Sequence, residues 1–164
     1  VGAAVVHEDD VHVLRAVRLV RGLRTVDELG VNGKLLAGGG TWIVAAVGNA
    51  AKEAALKEAG HEVIMLPNAS GKVDLPALML ELGRREINEL HVEAGSRLNG
   101  SLVREGCVDE LLLYVAPCLI GDAQGMFALA PLDRLDAKIS LKFYEVRQVG
   151  ADLRILARFT PQQE

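Results

Sequence analysis

The sequence predicts an α/β fold: a mostly parallel sheet with helices on both faces and a C-terminal antiparallel hairpin. Three patterns predict it. From residue 41 onward, short apolar runs of strand length alternate with segments of helical period. Glycine or proline punctuates most of the junctions between them. The last stretch switches to period-two alternation split by Gly150. Strands that alternate with helices imply crossover units, and hence parallel strands covered on two sides.

The elements follow in order. Val1-Gly2-Ala3-Ala4-Val5-Val6 reads as the middle of a buried strand, and the acidic turn His7-Glu8-Asp9-Asp10 follows it. Residues 13–20 alternate apolar and basic, a second strand whose register the alternation leaves open. Residues 21–41 are rich in turn formers, including Asn32-Gly33 and Gly38-Gly39-Gly40. The glycine triplet precedes a strand instead of opening a helix. It therefore lacks the helix dipole that phosphate loops use and reads as a connection.

Residues 42–47 form a short apolar run, a buried strand. Asn49 is placed to cap a helix over 50–59 that stops at Gly60. Residues 62–66 form the next strand, ended by Pro67. Asp74 caps a second helix with Pro76 in its first turn. Leu75, Leu78, Met79 and Leu82 fall on one face of that helix, and Gly83 is the expected stop. Residues 89–92 are a strand, 96–105 a helix between Gly95 and Gly106, and 111–115 a strongly apolar strand. The final hairpin alternates Ile139, Leu141, Phe143 and Glu145 on one arm with Leu153, Ile155, Ala157 and Phe159 on the other. No repeat, low-complexity tract or second domain is visible, so residues 1–164 read as one domain.

Composition narrows the function classes. Of 164 residues 50% are hydrophobic but only 4% aromatic, which implies a single aliphatic core. A net charge of −4 gives no global basic surface for nucleic acid, so an anionic ligand needs a local patch. Cys107 and Cys118 stand alone, and His7, His12, His61 and His91 share no ligand spacing. The expectation is two reduced thiols and no metal. No apolar run approaches the ~20 residues of a membrane helix, and no signal peptide is visible at the start. A cytoplasmic protein is expected. No nucleophile–base pair is apparent, and no general acid or base can be assigned.

The most informative stretch runs from His91 to Leu102. A strand ends, Glu93 sits at its C-terminal tip, and a glycine-bounded turn opens a helix. Ligands of such sheets bind beyond the carboxyl ends of strands. Unbonded amides at a helix start favour phosphate, and Gly95 lets a ligand approach the backbone. Ser96 and Asn99 can donate hydrogen bonds, and Arg97 can pair with a phosphate. The stretch is no generic fingerprint: Ser101-Leu102 stands where a phosphate loop needs Lys and Ser/Thr. A plain alternative remains open, with Gly95 as a tight turn, Gly100 as helix packing and Glu93 as a helix-cap partner.

The strings Ile87-Asn88-Glu89-Leu90, Val92-Glu93-Ala94-Gly95 and Leu98-Asn99-Gly100 resemble the reductase domain of the bifunctional riboflavin-biosynthesis deaminase/reductase family. So do Val108 through Pro117 and Leu119-Ile120-Gly121-Asp122. The resemblance extends from about residue 38 to 158 and implies a dihydrofolate-reductase-like fold. It implies reduction of the ribosyl group of a phosphoribosylamino-pyrimidinedione to ribityl, with hydride from NADPH. It places Glu93 on the substrate and the turn from Gly95 through Ser96, Arg97, Leu98, Asn99 and Gly100 to Ser101 on NADPH. A second family motif maps less closely onto residues 1–15. Ala4, Val5 and Val11 depart from it, Asp9 keeps its place, and Arg15 matches the phosphate-binding arginine only with one deletion. Arg18 could substitute, and solvated charges on an exposed strand are the alternative for both arginines.

The resemblance also implies that the family's first strand, with its Ser-x-Asp-Gly turn, lies before Val1. A zinc deaminase domain would accompany this one in the full-length protein, and a homodimer is expected because exposed strand edges seek pairing. Two rivals stand beside the enzyme: a catalytically impaired nucleotide-binding relative, and an inactive fragment of the bifunctional protein.

Overall fold

The computed structural model describes residues 40–122 and 125–160 together with Leu36, and gives the backbone alone for residues 3–5 and 16–18. The expected order of elements is present: β1 (Ala3–Val5), β2 (Ala16–Arg18), β3 (Trp42–Ala45), α1 (Ala50–Glu58), β4 (Glu62–Met65), α2 (Leu75–Arg84), β5 (His91–Glu93), α3 (Ser96–Arg104), β6 (Glu110–Val115), a 3-10 turn (Leu135–Ala137), β7 (Leu141–Val149) and β8 (Asp152–Phe159).

The larger sheet has the order β4-β3-β2-β1-β5. The β2–β3 and β3–β4 pairs are parallel, whereas β1 runs antiparallel to both β2 and β5. Two reversals restore direction, so β5 points the same way as β2, β3 and β4. Their C-terminal ends therefore share one edge of the sheet. The parallel character expected from the strand–helix alternation holds for four of these five strands.

Strand β3 shows why helices lie on both faces. Its four residues are all buried, and successive side chains point to opposite sides. Trp42 and Val44 pack with Leu75, Leu78 and Leu82 of α2 and Leu98 and Leu102 of α3. Ile43 and Ala45 pack with Leu56 of α1 and with Leu36. Burying each of these leucines contributes roughly 2 kcal/mol, so the double cover fixes β3 at the centre of the fold.

The helices begin where the caps predict. Asn49 Oδ1 accepts from the Lys52 amide at 3.1 Å and Asp74 Oδ1 from the Ala77 amide at 2.9 Å. Helix α2 does not stop at Gly83. It runs one residue further, and the chain turns at Glu86, a non-glycine residue with φ of 64°. Arg85 explains the extension. Its guanidinium lies 4.6 Å over the Trp42 ring, makes two 2.8 Å bonds to Glu62 and bonds Glu81 through Nε at 2.8 Å.

The C-terminal antiparallel hairpin is present, β7 with β8. It does not extend the edge of the larger sheet but joins β6 in a second sheet, β6-β8-β7, all antiparallel. A bulge between Phe143 and Glu145 inserts Tyr144 and shifts the alternation by one. Glu145 therefore leaves the face of Leu141 and Phe143, and Val146 takes its place opposite Ile155. One face of this sheet is apolar, with Leu113, Phe143, Val146 and Ile155. The other carries ion pairs, Arg154–Glu145 at 2.7 Å and Arg158–Glu110 at 2.6 Å. Among the described residues, no helix is long and apolar enough to cross a membrane. No group of three or more His, Cys, Asp or Glu side chains there could hold a metal.

Candidate active site

The site begins with the direction of β5. Val92 turns into the layer of α2 and α3, so His91 and Glu93 share the opposite side of the strand. Glu93 ends the strand at the common C-terminal edge. Its carboxylate is 70% exposed and lies 3.7 Å from His91 Nε2. The strand is held by β1, with Ala3 opposite Glu93 and Val5 opposite His91. Position i, i+2 on one strand is the sequence signal for the His91–Glu93 proximity, a pairing that the spacing test for metal ligands passes over.

Two residues beyond Glu93 the chain enters α3. Gly95 is its N-cap, with φ of −78° and ψ of 166°, and offers no side chain of its own to cap the first amides. That backbone conformation is open to any residue, and a Cβ at Gly95 would meet nothing within 4 Å. Neither conformation nor packing within the described residues requires glycine here. Its bare surface leaves room for a ligand against the start of the helix, where the amides and the dipole end attract an anion.

The other residues of the turn divide by burial. Ser96 is half-buried and Arg97 exposed. Leu98 lies in the core, and Ser101 is buried with its hydroxyl accepting from Arg104 at 2.6 Å. These two face the protein, so a ligand at the turn would meet Leu98 through its amide. Gly100 is buried against a strap, residues 126–128, that crosses the first turns of α3. The Ala128 amide donates to Ser96 O at 2.9 Å. Asn99 Nδ2 donates to Ala94 O and Met126 O, both at 3.2 Å.

The strap is the part of the site that the sequence reading missed. Met126-Phe127-Ala128 carries no periodicity, and its only signal is a glycine, Gly100, in the middle of a helix. Asp9 and Arg15 lie outside the described residues, and Arg18 is described by its backbone alone. The structure thus brings Glu93 together with Gly95, Ser96 and Arg97. Chemically, the arrangement offers a solvent-facing carboxylate that can accept from hydroxyls, beside amides suited to phosphate. A dinucleotide would suit the two features, with its phosphates on the amides of α3 and room for it beside Gly95.

Residues 7–155 match the RibD C-terminal domain family. A riboflavin biosynthesis protein RibD from Escherichia coli is 44% identical over 91 residues, 55% of this chain and 25% of that protein. A 5-amino-6-(5-phosphoribosylamino)uracil reductase from Buchnera aphidicola is 33% identical over 86 residues, 52% of this chain and 42% of that protein. Among solved structures, Acinetobacter baumannii RibD superposes with a TM-score of 0.67 at 24% identity. It covers 88% of this chain, which in turn covers 37% of it. The chain therefore spans about a quarter of the length of the first of these relatives. The likeness in fold is of the dihydrofolate-reductase type.

Proposed function

The chain belongs to the RibD C-terminal domain family, and from that premise we propose that it is the reductase of riboflavin biosynthesis acting on 5-amino-6-(5-phosphoribosylamino)uracil. The reaction reduces the ribosyl group to ribityl, and NADPH, when bound, supplies the hydride. The reading rests on one observation, the exposed Glu93 carboxylate at a strand tip beside a helix start that Gly95 leaves open. The amides of Ser96, Arg97 and Leu98 hold the cofactor phosphates through the N-terminal end of the α3 dipole. The charge of Arg97 adds to that field. Glu93 accepts from ribose hydroxyls, which orients the sugar carbon to be reduced. Asp9 and Arg15 serve the substrate's polar and phosphate ends, the role the family resemblance gives them.

The wider setting follows from the same reading. Residues 1–164 form one reductase domain, in a longer cytoplasmic protein that also carries a zinc deaminase domain. It works as a homodimer, for which the apolar face of β6-β8-β7, with Phe143 and Val146 more than half exposed, offers a surface.

The test is consumption of NADPH, followed at 340 nm with the pyrimidine substrate. Glu93→Gln removes the charge and keeps the shape. Loss of a charge-assisted hydrogen bond lowers kcat/KM by roughly 10- to 150-fold, with NADPH binding retained by fluorescence titration. Undiminished activity in E93Q would remove the substrate role. NADPH bound but never oxidised by the wild-type protein would leave an impaired relative.

A further inference from the structure

Asn99 is the fourth residue of α3, and its backbone amide closes the first helical turn on Gly95 O at 3.1 Å. Its side chain does something a surface residue of that turn would not. The Nδ2 atom lies between two carbonyl oxygens, Ala94 O and Met126 O, each at 3.2 Å. Carbonyls only accept, so the nitrogen of the amide must face them, and both of its hydrogens are used. One partner is the residue after Glu93. The other is on the strap, 27 residues further along the chain. Asn99 thus ties together three parts of the site: the strand tip, the helix start and the strap.

Two further contacts seat the strap on the helix. The Ala128 amide bonds Ser96 O at 2.9 Å, and the bare Cα of Gly100 lies directly beneath the Ala128 backbone. Asn99 is the only side chain in this set that makes a bond of its own to the strap, because Gly100 has none and Ser96 and Ala128 meet through their backbones. The arrangement selects asparagine by its donors and not by its size. Aspartate has the same shape but would put a carboxylate oxygen, which can only accept, where Nδ2 faces the two carbonyl oxygens.

We infer that Asn99 is a positioning residue: it holds the strap at residues 126–128 and the Glu93 tip in fixed relation to the amides of α3, and so preorganises the start of α3 for the nucleotide. The inference rests on the reading that a nicotinamide nucleotide lies at the start of α3. Without the tie, the strap and the tip move independently, and binding must order them again.

The test compares the wild-type protein with Asn99→Asp and with Leu82→Ala, a core truncation in α2 remote from the turn. In N99D the KM for NADPH and its Kd by nicotinamide fluorescence rise about tenfold, the equivalent of ~1.4 kcal/mol. The kcat at saturating NADPH changes by less than about twofold, because the tie acts on binding. Exchange of the Ala128 amide hydrogen accelerates even without nucleotide. L82A lowers the melting temperature but leaves the KM for NADPH unchanged. If N99D fails to fold, Asn99→Ala is read in the same way.

Wild-type NADPH affinity in N99D, or an equal rise of KM in L82A, overturns the inference while the site assignment stands. Failure of the wild-type protein to bind NADPH overturns the site assignment itself.

Discussion

Substituting Gly100 by alanine sets two effects of known sign against each other. Alanine in place of glycine inside a helix gains about 1 kcal/mol. At Gly100, however, the new Cβ would press on the Ala128 carbonyl oxygen, with the carbonyl carbon at 2.8 Å and the amide nitrogen at 3.0 Å. All three are backbone atoms, so no side-chain rotation relieves the clash. The strap must lift, and it then gives up the Ala128–Ser96 bond and the Asn99–Met126 bond. At about 1 kcal/mol each, with residual overpacking of about 1 kcal/mol, the cost exceeds the propensity gain by roughly 2 kcal/mol. For a chain of this size that lowers the melting temperature by roughly 4–8 °C.

The control lies in the neighbouring helix. Gly83 in α2 has nothing within 4 Å of the same added atom. Gly83→Ala should therefore raise the melting temperature by roughly 2–4 °C through propensity alone. Thermal unfolding followed by circular dichroism measures both. If G100A is stabilised as much as G83A, the strap does not rest on α3 and its contacts with Ser96 and Asn99 are not formed.

Two further outcomes follow from the Arg85 cluster. Arg85→Ala removes the guanidinium from the Trp42 face and breaks a half-exposed pair with Glu62. Together these cost about 1.5 kcal/mol after solvent screening. Trp42 is the only tryptophan in the chain, so its emission should shift along with the lowered melting temperature. Unchanged emission would mean that the two side chains are not stacked. Acid should unfold the protein partly through the same cluster. The hydrogen bond from Arg85 holds the Glu81 carboxyl below its ordinary value of 4.5, and Arg134 does the same for Asp136. A depressed carboxyl contributes stability that is complete above the unfolded value and disappears as pH falls through the folded one. Stability should therefore decline below about pH 4.5, less steeply in R85A, and identical acid limbs in the two proteins would contradict the assignment to Glu81.

Much of this architecture is written in local patterns. Asn49 and Asp74 announce their helices because a cap needs only the residues three positions onward. The leucines of α2 face the core as their spacing requires. Pairing over long distances is a different matter. Nothing in the period-two runs of residues 141–159 says that they join β6 in a separate sheet, and the alternation that places Glu145 beside Phe143 is broken by one inserted residue. Glycine at position 83 looks like a stop, but the contacts of Arg85 with Trp42 and Glu62 carry the helix past it. At the site, the carboxylate and the glycine corner are visible in the sequence. The strap is not, because its seat depends on the absence of a side chain at Gly100, 28 residues before Ala128.

The pairing of Ala3 with Glu93 has a kinetic side. The two residues are 90 positions apart, whereas Trp42 and Glu62, partners in β3 and β4, are separated by 20. Closing the longer loop costs on the order of 1 kcal/mol more in chain entropy, and distant contacts form slowly. The β3-α1-β4 unit can therefore assemble early from neighbours. The end of β5 acquires its backbone partner only when Ala3–Val5 reach it, so the setting of Glu93 is expected to form after the β3-α1-β4 unit.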